Sequence, residues 1–178
     1  MLPQYAQARK AIWTAVNPHT GKRRIDEAFP NEIRENVNEQ EMFIRFKNGS
    51  TWQVVGSDNY DRLVGVSVAG IVFSEWALAN PAAWAYLAPV VTENKGWALF
   101  ITTPRGDNHA KETLDLGRDR PNWFAEVSTV VDTQAISHEV IEEQRLEYHS
   151  IYGEDAGDAL IEQEYYCSFT AAILGAYY

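Results

Sequence analysis

The chain contains a single cysteine, Cys167, which excludes an internal disulfide, and nothing in it has zinc-ligand spacing. Such sparing use of cysteine fits a reducing compartment, so the cytoplasm is the expected location. Apolar runs are short, none approaching the roughly 18 uninterrupted residues of a membrane span, and a soluble protein without membrane contact is expected. The N-terminal stretch MLPQYAQARK lacks the charged-then-apolar order of a signal peptide. Basic residues are scarce: 15 Lys plus Arg stand against 25 Asp plus Glu, a net charge of −10. Phosphate affinity comes mainly from clustered Lys and Arg, so this balance argues against a stand-alone nucleic-acid binder. Internal repeats and low-complexity linkers are also missing, and 178 residues fit one domain spanning 1–178.

What is present is a chain that is 46% hydrophobic and 12% aromatic, enough to bury a core. Ala8, Ile12, Ala15 and Val16 recur at helical spacing over 6–16, and Asn17-Pro18 stops that helix. Residues 17–41 are polar and charged, a surface excursion with at most one short helical turn. Alternation over 42–46, the two-residue turn signal Asn48-Gly49 and the run 51–55 predict a β-hairpin. The runs VSVAGIVF (66–73) and WALFI (97–101) read as two buried strands. A helix over 81–87 starts with Asn80 as its cap and Pro81 in its first turn. Helices are predicted over 107–116, from the Ser137 cap to about 148, and over 154–163, with a further strand within 123–131. Trp76, Trp84, Tyr86 and Trp97 are expected to pack a core, and His19, His109, His138 and His149 to lie at the surface. Strands alternating with helices predict an α/β fold, three-layered around a mainly parallel sheet, with the hairpin near 42–55.

Ligands of open α/β sheets sit beyond the carboxyl ends of the strands. Two such ends carry polar side chains: Ser74-Glu75 after the first apolar run and Thr102-Thr103-Pro104 after the second. A carboxylate there can take a proton from an attacking water, and a hydroxyl can orient that water or sense a phosphate. Equally, Glu75 can be a solvated strand end and the threonines can simply turn the chain. Other motifs are missing. The only Gly-Lys pair, Gly21-Lys22, is followed by Arg23, and Val16 stands where a phosphate loop needs its first glycine. A dinucleotide fingerprint and a zinc-protease helix are likewise missing, and no metal ligands are assigned.

In order along the chain, several segments resemble the large terminase subunit of tailed bacteriophages, an ATP-driven DNA-packaging motor. They are Leu2-Pro3-Gln4-Tyr5-Ala6-Gln7-Ala8-Arg9 with Trp13, Phe46-Lys47-Asn48-Gly49-Ser50, and Asp61-Arg62-Leu63-Val64-Gly65 followed by Gly70 to Ala77. Leu99 to Gly106 resembles the family's coupling motif, and Ile161 to Phe169 the passage from its ATPase half to its nuclease half. The resemblance implies a P-loop ATPase type of sheet, incomplete at its N-terminal side. It implies that Glu75 polarises the attacking water, that Thr102 and Thr103 couple the γ-phosphate state to movement, and that Ser74 and Arg62 lie near nucleotide. It also implies Mg-ATP as cofactor, and the portal, the small terminase subunit and DNA as partners in the cytoplasm of a bacterial host.

Three departures qualify this. Ser74 stands where the family's Walker B strand has an aspartate, and Val64 where it has an arginine, Arg62 being two positions away. The phosphate loop and the nuclease carboxylates are not found in the sequence. The expectation is therefore a remnant in a prophage or one piece of a split gene, without ATPase or nuclease activity alone. The alternatives are one chain of a split ATPase completed by a partner, and a non-catalytic α/β interaction module. An unprotected strand edge, covered by self-association or a complementing chain, is expected beside the Walker B-like strand.

Overall fold

In a computed structural model of the chain, residues 1–63 and 65–170 are described, the side chain of Arg62 excepted. The chain forms two compact units, Met1–Ile101 and Thr102–Tyr178. The first unit begins with a helix, α1 (Tyr5–Ala8), which widens into a π-helical stretch at Arg9–Trp13. It ends before Val16, which instead bridges Arg23. After α2 (Arg24–Ala28) comes a strand that the polarity of 17–41 hid, β1 (Arg34–Asn38), pairing antiparallel with β2 (Phe43–Phe46). Its sequence, RENVN, has one apolar side chain. It is an edge strand, where main-chain pairing and charged outward residues suffice.

β2 returns through the Asn48-Gly49 turn to β3 (Thr51–Gln53), so the expected hairpin forms. Its loop is one residue longer than a two-residue turn. The Gly49 N–H bonds the Phe46 carbonyl (2.9 Å), Gly49 takes φ +86°, and the Phe46 N–H closes on the Ser50 carbonyl (2.9 Å). Leu2, Trp13, Ile25, Met42, Ile44 and Val54 are buried between helix and sheet, with Trp52 stacked 6.2 Å from Trp13.

The second part of this unit carries the parallel pair β4 (Gly70–Ser74) and β5 (Trp97–Ile101), joined by α3 (Ala82–Glu93). Asn80 Oδ1 accepts the Ala82 N–H (3.0 Å) as the sequence implied, and α3 runs on through Pro89, past the predicted end at 87. The strands are covered on one face only. Ile71 and Phe73 are buried, whereas Trp97, Leu99 and Ile101 are about half exposed (58%, 46% and 51%). The reading of both runs as fully buried strands is corrected accordingly. Trp76 is buried, but Trp97 and Tyr86 are exposed. The outer edge of β4 is not bare either, because the Ser74 N–H donates to the Met1 carbonyl (2.9 Å) and the Met1 amine to the Val72 carbonyl. Among the described residues the sheets are thus one antiparallel set of three strands and one parallel pair, where a mainly parallel sheet was expected.

The second unit is helical: α4 (His109–Asp119), α5 (Val130–Thr133), α6 (His138–Tyr152) and α7 (Glu154–Glu164). The strand expected within 123–131 does not form. Residues 123–129 are irregular, and the Asp132 carboxylate reaches back to the Thr129 N–H (2.8 Å) and hydroxyl (2.7 Å), which starts α5 in its place. Ser137 caps α6 through the Val140 N–H, as predicted. α6 and α7 form a helical hairpin about Gly153, and Asp158 of α7 meets Arg145 and His149 of α6. His149 thus shares a hydrogen bond with Asp158 (2.9 Å) and is only 24% exposed at its side chain, not a free surface histidine.

Candidate functional site

The carboxyl end of β4 is built by aromatic packing. Phe73 stacks on Phe100 with centroids 5.0 Å apart and planes within 5°, which locks the facing positions of β4 and β5 together. Trp76 lies 4.9 Å from Phe73 and 5.0 Å from Phe100, and Trp84 of α3 stands edge-on at 5.2 Å from Phe100. Between these anchors the chain must turn sharply. Glu75 does this in the left-handed region, at φ 58° and ψ 47°, and its carbonyl accepts the Leu78 N–H (2.9 Å) to close the turn Trp76–Leu78. A non-glycine residue there costs about 1–2 kcal/mol, and the buried Trp76 holds it in place. Both Ser74 and Glu75 are half-buried.

The register sets Ser74 opposite Ile101, so the two strands finish level. Glu75 follows Ser74 in the chain and Thr102 follows Ile101. Thr102 and Thr103 open the second unit and are half-buried, and the Thr102 hydroxyl donates to the Thr103 carbonyl (2.8 Å). Pro104 is buried, Gly106 turns at φ +70°, and Asn108 Oδ1 caps α4 through the Ala110 N–H (2.9 Å). Arg62 belongs to the turn Ser57–Leu63, and its side chain lies outside the described residues, as does Val64.

Two residues that sequence reasoning passed over hold neighbouring segments, one within each unit. Ser57 is fully buried; its hydroxyl donates to the Pro3 carbonyl (3.0 Å) and accepts the Asn80 N–H (2.9 Å), joining the N-terminal segment to the start of α3. Nothing in its sequence context marks it. Arg105 ion-pairs with Glu164 at the end of α7, and its only signal was its place in Thr-Thr-Pro-Arg-Gly.

No protein-family model matches the chain. A curated relative, the large terminase subunit of Escherichia phage T5, is 35% identical over 117 residues, which is 63% of this chain. The chain is similar to the large terminase subunit. That match spans 26% of the T5 subunit's length. In fold, the chain resembles the large terminase ATPase domain of Thermus phage P74-26, with a TM-score of 0.64, 20% identity, and coverage of 95% of this chain and 74% of that one. A large terminase from a thermophilic bacteriophage has the same TM-score of 0.64 at 19% identity, with 39% of its length covered.

Mg-ATP, which the sequence resemblance implies, is not fitted by the residues present on their own. A hard dication needs several oxygen ligands, with carboxylates the strongest. The end of β4 offers one carboxylate, Glu75, beside the neutral hydroxyl of Ser74, and no group of three or more His, Cys, Asp or Glu converges among the described residues. Triphosphate binding in P-loop ATPases rests on loop amides and a lysine, and this sequence has no such loop. Among the described residues, no helix is long and apolar enough to cross a membrane.

Proposed function

We propose that this chain forms part of the ATPase domain of a phage DNA-packaging motor, within a three-layer sheet of the P-loop type, and turns over no ATP by itself. The supporting observation is the left-handed Glu75 directly after β4, whose end is level with that of β5, in a chain similar to large terminase subunits. In this reading Glu75 polarises the attacking water, and Thr102 and Thr103 pass on the state of the γ-phosphate. Ser74 and Arg62 contribute weakly to nucleotide contact. The phosphate loop comes from a complementing segment, whether the gene is split, is a prophage remnant or encodes part of a longer protein. The portal, the small terminase subunit and DNA are partners of the assembled motor, in the host cytoplasm.

Magnesium-dependent ATP hydrolysis by the purified chain alone is expected to be absent. Co-expression with a polypeptide from the flanking reading frames that carries Gly-x-x-x-x-Gly-Lys-Ser/Thr is expected to restore it, and Glu75→Gln to remove at least about 100-fold of the restored rate. Turnover by the lone chain that Glu75→Gln abolishes would falsify the inactive reading. Unrelated genes on both sides, with no complementing loop, would overturn the motor reading. The half-exposed Trp97, Leu99 and Ile101 on β5 favour a second reading, a protein-interaction module whose partner carries no phosphate loop.

A further inference from the structure

The loop over 102–108 leaves β5 and enters the second unit, where two features hold it. At the backbone, the Asn108 carboxamide donates to the Arg105 carbonyl (3.3 Å) while its oxygen caps α4. At the side chain, Arg105 Nη1 donates to Glu164 Oε1, the last residue of α7. Both partners are about one-third exposed, so the pair is partly shielded from water and its geometry is directional. The Glu164 carboxylate also accepts from Gln163 Nε2 (3.2 Å), a residue that is 3% exposed. The end of α7 is a junction in its own right. The Tyr165 carbonyl accepts the Val130 N–H (2.8 Å) at the start of α5, and the Ser168 N–H returns to the Glu162 carbonyl (2.9 Å). One arginine therefore ties the loop that begins with Thr102 and Thr103 to the place where α7 ends and α5 begins.

We propose that Arg105 and Glu164 form a latch that makes the 102–108 loop and the end of α7 respond as one body. A displacement of the loop is then passed to residues 161–168 rather than absorbed at Gly106. Arg105 is a positioning residue in this role, since it acts through Glu164. The functional meaning of the latch, a path from the strand-end loop towards the C-terminal segment, rests on the ATPase-domain reading above.

The test is hydrogen–deuterium exchange on the full chain without nucleotide. Glu164→Gln is expected to raise amide exchange severalfold in 102–108, and Arg105→Gln to raise it severalfold in 161–168. The double variant should exchange no faster than either single one, because both remove the same interaction. The charge swap Arg105→Glu with Glu164→Arg should return part of the protection, which a general loss of folding would not allow. Effects confined to each variant's own neighbourhood, or singles that add in the double variant without rescue by the swap, overturn the latch. Nucleotide turnover plays no part in this readout. Reciprocal exchange with no restored ATPase in the co-expressed complex would leave the latch standing and remove the motor reading, and the reverse result would do the opposite.

Discussion

Glu75 holds a left-handed backbone that glycine would adopt without strain. The steric cost of about 1–2 kcal/mol for an L-residue exceeds the roughly 0.5–1 kcal/mol that glycine loses through its freer unfolded chain. Glu75→Gly is therefore expected to leave stability unchanged or raise it by up to about 1.5 kcal/mol, read as a higher thermal midpoint. Ser57 is the opposite case. Ser57→Ala leaves the Asn80 N–H without its partner inside the first unit, while the Pro3 carbonyl keeps the Asp58 N–H (3.1 Å), at a cost of about 1–2 kcal/mol, read as a lower urea midpoint.

Within the α6–α7 hairpin the close crossing falls at Gly157. A Cβ there would meet the His149 backbone nitrogen at 2.9 Å and the Tyr148 carbonyl carbon at 3.0 Å. Alanine would gain about 1 kcal/mol of helix propensity. Overpacking against backbone costs about 1–3 kcal/mol, and backbone cannot swing aside as a flexible side chain can. Gly157→Ala is thus expected to destabilise the second unit by about 1 kcal/mol, seen as faster amide exchange along α6 and α7. β1 and α5 teach a related lesson. RENVN becomes a strand because β2 offers it a ladder, whereas residues 123–129 pair with no strand and the Thr129–Asp132 contact starts α5 at their end.

Across the whole molecule the specific carboxylates are stabilised as anions. The Arg23 side chain, and behind it Arg34, hold the Asp26 carboxyl below its ordinary value of 3.8 against the opposing effect of burial. The Trp13 indole, and then Arg23, do the same for Glu39 below 4.5. In the second unit His149 and then Arg145 lower Asp158, and Thr129 lowers Asp132. Every one of these folded-state values is depressed. The stability they contribute is therefore fully present above the ordinary carboxylate range and is lost as pH falls through the folded values. Acid unfolding is expected to begin near pH 4.5 in both units, followed by circular dichroism and by the buried Trp13. Asp26→Asn should lower stability at neutral pH and flatten the acid limb of the first unit. Since the isoelectric point is about 4.8, the titration is run dilute, where loss of net charge does not precipitate the chain.

Local chemistry settled much of this protein in advance. The 42–55 hairpin, the Asn80 and Ser137 caps, a helix from Ser137 to about 148 and another over 154–163, and apolar strands ahead of Ser74-Glu75 and Thr102-Thr103 all follow from turn residues, periodicity and propensity, which act between near neighbours. So does the resemblance to large terminase subunits, carried by short ordered motifs. Contacts between distant residues lay beyond that reach. They include the ladder that recruits the polar β1, the Met1 backbone on the outer edge of β4, and the buried Ser57 between Pro3 and Asn80. They also include the Arg105–Glu164 pair, 59 residues apart. Ser74, Glu75, Thr102 and Thr103 were visible as polar residues after apolar runs, yet nothing local dictates the left-handed turn at Glu75. Phe73, Trp76, Trp84 and Phe100 impose it, and an aromatic cluster drawn from two strands, a turn and a helix exists only once the chain has folded.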